Sequence, residues 1–230
     1  MNNAIKAYLY AGLFLLSLNF IFGQNQKLAD SLIARHLSGN FQENDLDLLK
    51  RISEEETDPR RALAYADSLI IKASKDSLFD YIQNGFLQKG NALRALGNSP
   101  SALESYFESL NYAKRIDDKK GMGVTMISIA GAYSEIELSQ NAKIYYKRGI
   151  SVLRQVNDSV QLANALLNAG DLYFYTGVLD SALFYVREAE VLYHLLDFSL
   201  GKAYSLGNLG MVYAEQGKDS LAINKMNEAI

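Results

Sequence analysis

Few residues in this sequence are equipped for chemistry. The two histidines, His36 and His194, lie far apart, and with no cysteine in the chain a zinc site would have to be built largely from carboxylates. The lack of cysteine also removes thiolate nucleophiles, disulfides and the attachment point of a lipoprotein. Glu54-Glu55-Glu56 could suggest a cation site, but three consecutive carboxylates just before Pro59 read as a solvated helix end. His194 falls near the end of a predicted helix, where a cation suits the dipole, and His36 reads as a surface residue. Gly121-Met122-Gly123 lacks the third glycine and the preceding strand of a dinucleotide loop, so it reads as a connector. No HExxH, GxSxG or P-loop pattern occurs. The expectation is a chain without catalytic residues, metal or cofactor. What remains is a set of side-chain amides, among them Asn84, Asn91, Asn164, Asn168 and Asn208. An amide offers donors and an acceptor together, so it can pair with peptide backbone without choosing a charge. The bland alternative is that these amides solvate an open face.

The elements that would carry them are visible as a period. Ala62, Ala102, Ala142, Ala182 and Ala222 recur forty residues apart. Twelve residues before four of these sits a small residue (Gly90, Ala130, Gly170, Gly210), and three residues later comes Leu93, Tyr133, Tyr173 or Tyr213. A fourth column holds Gly97, Glu137, Gly177 and Gly217. Small residues fit where two helices of a hairpin cross. Tyrosine or leucine fills the space between hairpins, and glycine past a helix end supplies the left-handed cap. Asp180-Ser181 and Asp219-Ser220 offer oxygens for capping the next helix. Apolar residues recur at three- and four-residue steps, as in Leu166, Leu167, Gly170 and Tyr173, and strand alternation is absent. With only Pro59 and Pro100 to interrupt them, long helices are expected.

The run Leu209-Gly210, Tyr213, Gly217, Ala222, Ala229, repeated as Gly170, Tyr173, Gly177, Ala182, Ala189, resembles the tetratricopeptide repeat. Its forty-residue register exceeds the usual ~34 and is similar to kinesin-light-chain-like repeats and to the repeat domains of bacterial signalling proteins. The resemblance implies an all-α, right-handed superhelical solenoid of antiparallel helix hairpins. About five repeats are expected at 43–82, 83–122, 123–162, 163–202 and 203–230, the last incomplete. The first is degenerate, with Lys50 and Ser53 at the small and tyrosine positions, and a leading helix within 24–42 would cap it.

In that family the first helix of each hairpin lines a concave groove. The phase of the columns carries this to Asn84, Asn91 and Arg94 in the second repeat and Glu135 in the third. Asn164, Asn168, Asp171 and Tyr175 follow in the fourth, then Tyr204, Asn208 and Glu215 in the fifth. The resemblance implies a protein or peptide partner. The clamp that holds chaperone C-termini needs basic residues where Leu87, Ile127 and Leu167 stand, so that ligand is not expected. A net charge of -3 without a basic stripe speaks against nucleic acid.

The N-terminus carries an address. Lys6, an apolar run from Leu9 to Phe22, and then Gly23 before Gln24 have the flanks of a secretory signal peptide over residues 1–23. The run is short for the ~20 residues of a membrane helix; an uncleaved anchor and a buried helix remain as other readings. Export across the inner membrane of a Gram-negative bacterium is the expectation, with membrane contact only through this segment or one beyond Ile230. Because Ile230 falls inside the second helix of a hairpin, the natural protein is expected to continue. Three roles stay open: the sensing region of a larger regulator, a free periplasmic scaffold, and a piece of an enzyme whose catalytic domain follows. Asp-Ser triplets such as Asp158-Ser159-Val160 read as helix caps before they read as glycan sites.

Overall fold

In a computed structural model, residues 26–38 and 44–229 are described, and every regular element among them is an α-helix. These are α1 (Gln26–Ser38), α2 (Asp45–Glu55), α3 (Pro59–Lys75), α4 (Phe79–Ala95), α5 (Ser99–Arg115), α6 (Lys119–Glu135), α7 (Ser139–Gln155), α8 (Ser159–Tyr175), α9 (Leu179–Leu195), α10 (Ser199–Glu215) and α11 (Asp219–Glu228). The expected signal peptide, residues 1–23, lies outside the described residues. From Pro59 onward a helix begins every twenty residues, so the forty-residue period is two helices of equal pace.

That pace is set at the joints. The middle residue of each three-residue connector stands at positive φ: Ser77, Gly97, Asp117, Glu137, Asn157, Gly177, Asp197 and Gly217, all between 49° and 78°. At Gly177 the amide bonds the Phe174 carbonyl at 3.0 Å and the next amide, of Val178, bonds Tyr173 at 2.8 Å. The same pair of bonds recurs at Ser77, Asp117, Glu137, Asp197 and Gly217. This arrangement closes the orphan carbonyls of the last turn. Glycine is needed for comfort there, yet Asp, Asn and Ser hold the alternate joints.

The chain forms two compact units, one through Gly97 and one from Asn98. In the first, α1 packs on α2 through Leu32, Ile33, Leu48 and Ile52, and α3 packs against both α2 and α4. In the second, each helix from α5 to α11 packs on the next, and the first helices α6, α8 and α10 also touch in succession. Its core joins Tyr146, Ile150, Leu153, Leu166 and Tyr193 with the small residues Ala130, Ala142, Ala163 and Ala189. The alanine column is buried throughout: Ala62, Ala102, Ala142, Ala182 and Ala222 are at most 4% exposed. A Cβ on Gly170 would stand 2.5 Å from Val186 Cγ2, and one on Gly210 2.7 Å from Met226 Cγ. Those glycines are there because the backbones come too close for a side chain. Gly90 is likewise buried.

Several sequence readings need correction. The repeat edges at 83, 123, 163 and 203 fall one turn inside helices that begin at Phe79, Lys119, Ser159 and Ser199. Gly121 and Gly123 are buried in the first turns of α6, not in a connector; a Cβ on Gly123 would meet Leu153 at 2.9 Å. Asp180 and Asp219 lie inside the first turns of α9 and α11 and cap nothing. The working caps are Asn44, Asp58, Asn98, Asp118 and Asp158, each accepting a bond from an amide two or three residues on. Glu56 is fully buried: its Oε1 accepts from the Asp58 amide at 3.0 Å and its Oε2 meets Arg61 at 3.0 Å. His36 is half-buried between Asp45 Oδ1, at 2.8 Å from its Nδ1, and the edge of Tyr65. The tyrosine column packs within hairpins as well as between them. Tyr133 and Tyr173 lie against Tyr145 and Tyr185 of their own hairpins, with centroids at 5.7 and 5.3 Å. Tyr213 instead receives Arg187 Nη2 from the preceding hairpin.

Candidate ligand groove

Residues at steps of four, three and four share one stripe of a helix. On α8 that stripe is Asn164, Asn168, Asp171 and Tyr175, and on α10 it is Tyr204, Asn208, Met211 and Glu215. Because α8 and α10 touch, the two stripes meet. Asn208, 7% exposed, donates its Nδ2 to Asp171 Oδ1 across that contact. From the second helix of the hairpin, Tyr193 sends its hydroxyl to Asn164 Oδ1 at 2.7 Å. Asn168, between Asn164 and Asp171, is half-buried and makes no side-chain hydrogen bond among the described residues.

The electrostatics centre on Asp171. Burial pushes its carboxyl up to about 7, while the bond from Asn208 favours the charged form and opposes that rise. Burial, and then the charge of Asp171, drive the Tyr193 hydroxyl upward. Burial also raises Tyr204. The rim is more open: Tyr175 is 57% exposed, packing edge-on against Phe174, and Glu135 on α6 accepts Ser99 Oγ at 2.7 Å while remaining exposed. Glu215 is exposed on α10.

Asn84, Asn91 and Arg94 lie in the first unit, and the other eight predicted groove residues lie in the second. Asn84 Nδ2 donates to Glu54 Oε1 at 2.8 Å, and Asn91 Nδ2 to Gln88 Oε1 at 3.0 Å. Burial raises the Glu54 carboxyl, and the Asn84 bond lowers it again. Three of the asparagines singled out as backbone readers, Asn84, Asn164 and Asn208, are thus already engaged between helices.

Sequence reasoning missed Tyr193 and Glu54, which anchor those amides. Tyr193 had a legible signal. Its column holds Ala73, Ala113 and Leu153 in other repeats, and the added ring is accommodated by Gly201, where a Cβ would collide with it. Glu54 had none beyond membership of an acidic run.

The second helices carry a different surface. A shallow depression beside α9 is lined by Leu183, Phe184, Arg187 and Val191 with Arg154 of α7. Asp180 and Glu188 complete its lining, and Arg154 meets Glu188 there at 2.6 Å. Among the described residues no group of three or more metal-ligating side chains is placed to hold an ion, and no helix is long and apolar enough to cross a membrane.

No family model matches the sequence, and no curated protein matches it. Solved structures do match the fold. BtubC (BKLC) from P. vanneervenii superposes with a TM-score of 0.74 at 15% identity, covering 88% of this chain and 87% of its own. A Rap protein in complex with competence and sporulation factor gives 0.72 at 13%, covering 96% and 67%. A putative kinesin light chain of Podosopora anserina with nearly identical TPR-like repeats gives 0.63 at 13%, covering 80% and 90%. The fold is that of the TPR-like repeat proteins. In TPR-like terms α4, α6, α8 and α10 are first helices, and α3, α5, α7, α9 and α11 are second helices. The stripe on α8 and α10 is therefore a first-helix surface.

Proposed function

We propose that this chain is a binding scaffold whose first-helix face receives a protein or peptide. The observation that carries the reading is the polar stripe shared by α8 and α10, where amides and a carboxylate line helices otherwise built from apolar and small residues. A polar row on a packed helix pair costs desolvation unless it is bonded, and Asn168 retains an amide for a ligand. A Rap protein of this fold is solved with competence and sporulation factor, which supports a binding role without assigning this chain's ligand. Photo-crosslinking in the source cell tests it. A photoreactive residue replacing Ser128 on α6 should capture a partner that one replacing Lys147 on α7 does not. Capture from α7 alone would reject the groove.

The finer reading is that the scaffold is the extracytoplasmic sensing region of a larger signalling protein, such as a histidine kinase, cyclase or helix-turn-helix regulator. The apolar run from Leu9 to Phe22 with polar flanks supports export. A phosphatase reporter fused after Glu228 should be active only outside the cytoplasm, and reading the gene past the codon for Ile230 tests for the output domain. An inactive fusion would remove export, and a frame without an output domain would remove the sensing role.

A further inference from the structure

One stripe of exposed second-helix positions is mostly polar on α5 and α7 and apolar on α9. There Phe184, Val191 and Leu195 are 60%, 56% and 75% exposed. At the same places α5 carries Glu104, Asn111 and Arg115, and α7 carries Ile144, Ser151 and Gln155. On α11 Asn224 stands where α9 has Phe184. The forty-residue repeat therefore does not require an apolar α9. Three large apolar side chains on one helix stripe point to a surface that something covers. Arg187 and Glu188 lie between Phe184 and Val191 on that stripe. The depression beside it holds two cations, Arg154 and Arg187, against two carboxylates, Asp180 and Glu188. A partner of one sign would leave half of these charges unmatched. A copy of the same surface, turned about a two-fold axis, sets each sign opposite the other.

We infer that this face of α9 is an interface between two copies of the chain, with the α9 helices antiparallel and the two-fold axis between Arg187 and Glu188. In that register Phe184 covers the partner's Val191, and Val191 the partner's Phe184, because both lie equally far from the central pair. Arg187 then meets the partner's Glu188. Each of these groups already has one contact within its own chain. Arg187 Nη2 donates to the Tyr213 hydroxyl at 2.5 Å, and Glu188 accepts from Arg154 at 2.6 Å. A guanidinium has more N–H donors, and a carboxylate more lone pairs, than those bonds consume. The pairing uses second-helix positions and none of the groove residues.

Sedimentation of the full chain tests this, and a monomer–dimer equilibrium should appear below ~100 μM. Replacing Phe184→Asn and Val191→Asn installs residues that α11 and α5 carry at those places. The melt should stay at the parent value while the dissociation constant rises about tenfold or more. The chain has no cysteine, so a single introduced thiol reports the register. A short bis-maleimide should join two copies through Glu188→Cys, beside the axis. It should fail through Leu195→Cys, which antiparallel pairing holds about 22 Å along the helix from its counterpart. A parent chain that stays monomeric, or a dimer untouched by the two asparagines, would overturn the inference. Bridging through Leu195→Cys and not through Glu188→Cys would also overturn it, since parallel helices set equal numbers side by side. So would capture of a different protein, and not of a second copy, by a photoreactive residue replacing Phe184 in the source cell.

Discussion

Asp171 is the residue whose titration reaches the fold. Its ordinary value is 3.8, and burial lifts it to about 7 in the folded chain. Between those values the folded state holds a proton that the unfolded chain has released, so stability declines as pH rises through that window. Partial exposure and the Asn208 bond moderate the effect, and we expect Asp171→Asn to remove about 1–2 kcal/mol of that decline. Denaturant melts at pH 4.5 and 8 check it; parallel curves for parent and variant would show that Asp171 does not titrate in this range. The joints give a second prediction. Glu137 has φ +61° where Gly177 has +73° in the next repeat, and nothing stands within 4 Å of a Cβ on Gly177. Backbone conformation alone therefore separates them. Glu137→Gly should stabilise by about 1 kcal/mol and Gly177→Ala should destabilise by about the same, read as opposite shifts of the chemical midpoint.

At the scale of elements, the hairpin crossing decides stability. Gly170→Leu drives a side chain into Val186 and should cost roughly 1–3 kcal/mol, more if α9 cannot yield. Val186→Ala in the same chain should recover part of that loss, which a thermal melt of the double variant would show. These elements were readable because small residues recur every forty positions and tolerate no substitute at a crossing. The twenty-residue pace was not, because its marker changes type: glycine or glutamate at one joint, then Ser77, Asp117, Asn157 or Asp197 at the next. Helix edges slipped one turn for a related reason. The caps at Asp118 and Asp158 precede the columns by a full turn, and α9 and α11 start without any side-chain cap. The groove was legible as a helical stripe but its bonding was not. Tyr193, Glu54 and Asp171 reach their amides from residues some 29 to 37 positions away, and only the stack brings those together. Glu56 escaped because its countercharge, Arg61, lies across a helix start that the acidic run does not reveal.

For the molecule as a whole, stacking makes stability nearly a sum of neighbouring contacts. Damage at one hairpin should then stay local. In the Gly170→Leu chain, amides of α8 and α9 should lose hydrogen-exchange protection, while those of α2 and α3, in the other compact unit, should keep parent rates. A uniform loss across both units would indicate a single cooperative block. What distinguishes this chain within the TPR-like fold is the amide and carboxylate stripe laid over a repetitive frame.

The equal length of the helices from α3 to α10, with equal joints between them, bears on how such a gene can change size. Unequal crossing-over that adds or drops two helices leaves every joint and every first-helix stripe as it was. An exchange of one helix would move each later stripe from first-helix to second-helix positions and break the register that brings Asn208 to Asp171. Length in this lineage is therefore free to drift only in paired steps, and relatives should differ by whole hairpins and never by a single helix within the array.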